Sequence, residues 1–338
     1  MRYFVGVLTL VLVFVIGAGV FAAQRQSGGG STPVPPPWAY GFTSPPGPPT
    51  GAPAAPDAPP PPDEETLHTL AGSASSFTEA QIRNRFGPAD WFPGDHPAMP
   101  DIVARGAVER EVWACSLCHY PNGKGRPENA GVSGISVDYF VQTMLDFRNE
   151  RRSSADTRKG NTNRMIAFAK AMTDEEIREA AEYYASMGWT PWIRVVETDV
   201  VPKTFTSIGM FLPLEGAEAG MEPIGQRIIE TPVKPEDTEL LRDPRSGFIA
   251  YVPPGSVARG EALASRGQCT LCHGADLGGS GPVPGIAGRS PSYAARQLFD
   301  MQQGTRHGVW TELMKPVVEN LTAQDILSLA AYTASLAP

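Results

Sequence analysis

The stretch Cys115-Ser116-Leu117-Cys118-His119 occurs a second time, 154 residues further on, as Cys269-Thr270-Leu271-Cys272-His273. Together the two copies use all four cysteines of the 338-residue chain. C-x-x-C-H is the attachment sequence of c-type haem. Two thiols three positions apart can each add to one vinyl group of the same porphyrin, and the adjacent histidine then reaches the iron as proximal ligand. A single copy is also compatible with a redox or zinc pair beside a histidine. Two copies with no cysteine left over point to two covalently bound haem c groups.

The match extends beyond the motif, as an internal repeat must. At the same offset of 154, Val103-Ala104-Arg105-Gly106 recurs as Val257-Ala258-Arg259-Gly260, Gly134 as Gly288, Tyr139 as Tyr293 and Arg152 as Arg306. Five residues then drop out of the second copy. At the new offset of 149, Met165 matches Met314, Thr173 matches Thr322 and Tyr183 matches Tyr332. The reading is of two homologous domains, 101–188 and 255–338. Each is expected to hold a first helix (101–114 and 256–267), a Gly/Pro-rich loop and a second helix (136–149 and 290–303). A last helix follows, opened by capping boxes at Thr173/Glu176 and Thr322/Asp325. Apolar residues at i, i+3, i+4 and i+7 support that helix, and neither repeat carries a strand signal.

This arrangement resembles the class I c-type cytochromes, and the tandem resembles the dihaem cytochrome c4 family. The resemblance implies haem attachment at Cys115, Cys118, Cys269 and Cys272, with His119 and His273 as proximal ligands. It also implies a methionine ligand before each last helix. Of the ten methionines, only Met165 and Met314 coincide in register. Met172 stands opposite Leu321, Met144 opposite Leu298 and Met301 opposite Phe147, which marks those three as core residues. His96 and Met99 are conceivable ligands, each of which would displace a better-placed methionine. His/Met ligation fills both axial positions, which suits outer-sphere electron transfer rather than catalysis.

Arg152 and Arg306 also coincide, and an arginine fork suits a haem propionate. The competing reading is a solvent-exposed charge. Residues 147–164 carry six basic side chains against two acidic ones. That segment is either a patch for an acidic partner or a solvated loop.

The rest of the chain is expected to anchor and connect these domains. Residues 3–23 are 21 apolar or small residues, enough to span a bilayer as a helix, although a cleaved signal peptide remains the alternative. Residues 24–62 read as a linker, because positions 33–62 hold 14 prolines. Residues 63–100 form an extension expected to pack over the first domain, with a capping box at Thr78/Gln81. Residues 189–254 contain short β-favouring runs and read as a partly β inter-domain arm. The fold class is therefore mainly α, with two tandem cytochrome c-like domains, an N-terminal transmembrane helix and that arm. A net charge of −8 argues against a nucleic-acid partner.

The expected function is electron carriage on the periplasmic side of the cytoplasmic membrane. The protein partners would be a terminal oxidase or a quinol- or substrate-oxidising complex. The alternative is the cytochrome c subunit of a membrane-bound dehydrogenase complex. A haem enzyme fits less well, since a peroxidase needs an open iron and a cysteine-ligated thiosulfate enzyme needs a spare thiol.

Overall fold

The computed structural model describes residues 33–46 and 61–338. The apolar run 3–23, expected to anchor the chain, lies outside these residues. Among the described residues no helix is long and apolar enough to cross a membrane.

Both repeats fold as helical units around the haem motif. The second helices are Val137–Arg148 and Pro291–Gln302, opened by Ser136 and Ser290, whose hydroxyls accept from the amides of Tyr139 and Tyr293. The last helices are Asp174–Ala185 and Ala323–Ser335, and both expected capping boxes are formed. Their apolar stripes enter separate cores. Ile177, Ala180 and Tyr184 join Ile102, Val103, Met144 and Met172 in the first. Ile326, Leu327 and Ala330 join Phe299 in the second.

The first helices differ between the repeats. In the second copy the helix runs Ser256–Arg266, whereas in the first it stops at Asp101–Ala104 and gives way to a 3-10 turn, Val108–Arg110. The expected helix 101–114 is therefore wrong over its second half. Gly106 adopts φ +70°, where a side chain would also overlap the Val112 carbonyl. Its register partner Gly260 stays helical, and its missing side chain lets it lie directly on Ser328 and Tyr332 of the last helix. A helix at Gly160–Ala171 was not expected, because its N-terminus has no side-chain cap. After the five-residue loss the second repeat has only a 3-10 turn, Val309–Leu313, and a short helix, Lys315–Val318. A two-residue ladder, Gly279–Ser280 against Val283–Pro284, also contradicts the expected absence of strands within the repeats.

The arm is partly β, as expected. Strand Phe248–Val252 pairs in parallel with Ile193–Glu197 on one side and antiparallel with Ile229–Pro232 on the other. The sheet packs in two directions. Phe248, with Trp192, Met210 and Leu212, covers Tyr120 just after the first haem motif. Ala250 and Val252 face the second domain's core. The extension 63–100 packs largely on the arm: Trp91, Ile82 and Leu70 surround Leu241, and the Trp91 indole donates to the Leu241 carbonyl at 2.7 Å. It also packs on the first domain, as expected: Met99 joins that domain's core, the His96 ring lies edge-on to Tyr183 at 6.4 Å, and the Arg85 carbonyl accepts from the Ala114 amide at 2.9 Å.

The linker 24–62 requires a correction. Pro37–Tyr40 forms a helical turn whose Trp38, Ala39 and Tyr40 are buried in the second domain's core. Proline at the first helical position and Gly41 at φ +81° after the last define the turn. The Tyr40 hydroxyl donates to Asp300 at 2.7 Å, and Arg296 donates to the Ala39 carbonyl at 2.6 Å. Phe42 lies under Arg158 of the first domain, 3.9 Å from guanidinium to ring centre. Proline count marked this stretch as spacer, but two buried aromatics among the prolines make it a docked segment.

Candidate haem sites and the seam between them

Each haem motif lies on a single helical turn, Cys115–His119 and Thr270–His273. Each histidine makes the same bond: Nδ1 of His119 to the Ala130 carbonyl and Nδ1 of His273 to the Pro284 carbonyl, both at 2.8 Å and both eleven residues on. That bond makes Nδ1 the donor and leaves Nε2 as the lone-pair nitrogen, the state an axial ligand requires. Burial pushes both imidazoles down, toward the neutral form. Among the described residues no group of three or more His, Cys, Asp or Glu side chains converges as a cage for a bare metal ion. The residues present fit haem rather than zinc.

Met165 lies in the helix Gly160–Ala171 and packs, half-buried, against the same core as Cys115. Met314 ends the 3-10 turn Val309–Leu313 and is also half-buried. Met144 and Met172 are core residues, as the register indicated. His96 has both ring nitrogens engaged, Nδ1 with the Pro97 carbonyl at 2.8 Å and Nε2 with Asp90 at 3.1 Å, so it presents no free ligand nitrogen. Met99 packs against the first domain's core.

The two repeats meet along a seam with approximate twofold symmetry. The backbones of Arg152 and Arg306 pair as an antiparallel bridge. Arg152 donates to the hydroxyl of Tyr293 at 2.8 Å, and Arg306 donates to the hydroxyl of Tyr139 at 2.7 Å. Each matched arginine thus grips the matched tyrosine of the other domain. Gln297 accepts from both guanidinium groups, at 2.8 and 2.9 Å. Arg152 is 7% exposed, which rules out the reading of a solvated charge. Neither arginine has a carboxylate within ion-pair distance among the described residues. Burial acts upward on the Tyr139 phenol, but Arg306 and Arg152 outweigh it and bring it down to about 8.

The cytochrome C oxidase, cbb3-type, subunit III family model matches residues 255–332. Cytochrome c4 of Pseudomonas aeruginosa is 39% identical over 242 residues, which cover 68% of this chain and 87% of that protein. The chain belongs to the cytochrome c4 family. It is a dihaem electron-transfer cytochrome with two covalently bound haem c groups. The cytochrome subunit of sulfide dehydrogenase from Chlorobaculum tepidum is 33% identical over 102 residues, covering 29% of this chain and 90% of that subunit. The structure of reduced recombinant cytochrome c4 from Pseudomonas stutzeri aligns at TM-score 0.42 and 19% identity, over 66% of this chain and 93% of that one.

In this member of the family the basic segment 147–164 is partly engaged, while Arg151, Arg158 and Arg164 stay exposed. Arg148 donates to the carbonyls of Ala169 and Met172 and to Asp174. Arg158 pairs with Asp156 at 2.7 Å, and Lys159 is buried, which pushes its amine down to about 7. Arg164 stacks on Trp113 at 3.8 Å.

Sequence reasoning missed three further arginines, two at the seam and one in the arm. Arg289 donates to the Gly131 and Ser133 carbonyls, both at 3.1 Å, from above the Trp189 ring. Arg296 joins the Ala39 carbonyl of the docked segment to the Pro127 carbonyl of the first domain. Neither arginine has a matching arginine in the first repeat, where the equivalent positions hold Ile135 and Gln142, so register comparison did not flag them. Arg242 reaches from the arm to the Leu117 carbonyl inside the first haem motif.

Proposed function

We propose that this chain is a membrane-tethered carrier, its haem domains on the periplasmic side, that moves electrons between respiratory complexes. One haem is attached through Cys115 and Cys118 with His119 as proximal ligand, the other through Cys269 and Cys272 with His273. Met165 and Met314 would serve as the second protein ligands, and Arg152 and Arg306 would hold propionates at the seam. The bound haems supply one-electron chemistry. The protein fixes two imidazole tautomers, would supply two thioether ligands, and holds at the seam two guanidinium groups that could donate to propionates.

The observation that carries this reading is the matched Nδ1 bond of His119 and His273, set on two motifs that leave no spare thiol. With Met165 and Met314 as second protein ligands, the bound haems would offer no iron site to a substrate, which supports an electron-transfer protein over an enzyme.

The apolar run 3–23 serves as the anchor of a single-pass protein of the cytoplasmic membrane. In this reading the packed turn Pro37–Tyr40 is not part of a free tether.

The second reading is a fixed cytochrome subunit of a dehydrogenase complex, which the similarity to the sulfide dehydrogenase cytochrome subunit favours. Purification from native membranes separates the two. A free carrier comes out alone, with its N-terminus ahead of residue 3, and is reduced or oxidised by washed membranes. A stoichiometric flavoprotein or other dehydrogenase partner would establish the second reading. A mature N-terminus at Ala23 or beyond would remove the anchor.

A further inference from the structure

Around the two haem motifs the repeats are not equivalent. Leu117, within the first motif, is buried, whereas its counterpart Leu271 is 75% exposed. Cys118 is half-buried, whereas Cys272 is exposed. The loop after the first motif carries Lys124, Arg126 and Glu128, all buried, while the matching positions hold Gly278, Ser280 and Pro282. Arg126 and Glu128 pair with each other at 2.6 Å and largely cancel.

Lys124 has no carboxylate partner among the described residues and donates to the carbonyl and hydroxyl of Thr190. A second cation without a carboxylate partner comes from outside the repeat. Arg242 belongs to the arm, and its guanidinium donates to the Leu117 carbonyl between the two cysteines of the first motif. The same group faces the Tyr120 ring at 5.7 Å. Its backbone is at φ +56°, a left-handed conformation that costs energy for a residue with a long side chain. Among the described residues no carboxylate lies within ion-pair distance of it. The adjacent Asp243 is turned away, accepting from the Arg245 amide at 2.8 Å and lying 3.4 Å from Lys234. Among the described residues no side chain donates to the Leu271 carbonyl as Arg242 does to that of Leu117.

We propose that Arg242 is a positioning and potential-setting residue of the arm, which makes the first haem the higher-potential, enclosed store and leaves the second as the exposed haem that exchanges electrons with partners. The inference rests on the attachment of the first haem at Cys115, Cys118 and His119. One-electron reduction lowers the charge of a haem by one, so a fixed cation nearby stabilises the reduced form. At an effective dielectric near 20, a unit charge on the order of 10 Å from a haem would shift electron partition between the two haems by about tenfold. That corresponds to about 59 mV for a one-electron couple.

The test is a redox titration of the intact dihaem protein followed by NMR, with each set of haem-methyl signals assigned through contacts to Leu117 or Leu271. Arg242→Asn removes the charge with a residue that tolerates φ > 0, and Arg242→Lys keeps the charge. In the parent protein the haem touching Leu117 is reduced first. Arg242→Asn lowers that haem's potential by about the tenfold partition and leaves the other unmoved, while Arg242→Lys retains most of the parent value. The proposal is overturned if the Leu117-side haem does not move, if both haems move equally, or if Lys and Asn behave alike. Haem-methyl signals with no contact to Leu117 would instead refute the attachment itself, which a haem-peptide mass measurement reads separately.

Discussion

Replacing Tyr40 tests whether the proline-rich segment is part of the folded body. Its ring is fully buried, lies edge-on to Phe299 at 6.4 Å, and its hydroxyl donates to Asp300 at 2.7 Å. Asp300 also accepts from the Ala155 amide of the first domain at 2.9 Å, so the phenol completes a contact on which both domains converge. Tyr40→Phe keeps the packing and removes one hydrogen bond to a buried carboxyl group, a loss of about 1.5–3 kcal/mol. Tyr40→Ala also leaves a cavity the size of the ring and should cost about 3–5 kcal/mol. For a body of this size each kcal/mol lowers the melting temperature by roughly 2–4 °C. The graded loss is therefore roughly 5 °C for Phe and roughly 10 °C for Ala, read by Soret circular dichroism during thermal unfolding. A chain beginning at Asp63 should lose at least as much as Tyr40→Ala. If both substitutions and the shortened chain melt with the parent, the segment is a spacer and its docking is wrong.

Met165→Ala and Met314→Ala should each open one iron to carbon monoxide in the reduced protein, while Met172→Ala leaves both closed. Binding by Met172→Ala but not by Met165→Ala would reverse the assignment. The bond to Asp90 raises the His96 pKa above its ordinary 6.5, against the opposing effect of burial. Folding therefore favours the protonated ring. The stabilisation is complete below pH 6.5 and fades as the pH climbs through the raised folded value. The stability gap between parent and His96→Gln should accordingly shrink from pH 6 to pH 8, and a gap that grows with pH contradicts the pairing.

The repeat made the haem motifs, the second and last helices and their caps legible, because those features are local and occur twice. What occurs once was harder to read. Gly106 and Gly260 share a register, yet one breaks a helix and the other lies against one, a choice set by tertiary contact rather than by local sequence. Trp38 and Tyr40 were masked by the prolines around them, although two large aromatics inside a supposed spacer were the available sign. The pairing of Arg152 and Arg306 was visible in the alignment, but their exchange of tyrosines across the seam was not, since it depends on how the two domains face each other. Arg242 had no sequence signal, because its role comes from where the arm folds back.

The most direct test of the account is the number and position of haems on the mature chain. A pyridine haemochrome assay against protein concentration, with mass mapping of the haem peptides, should give two haems per chain. One should be bound through Cys115 and Cys118 and the other through Cys269 and Cys272. One haem per chain, or free thiols at either motif in the fully matured protein, would contradict it.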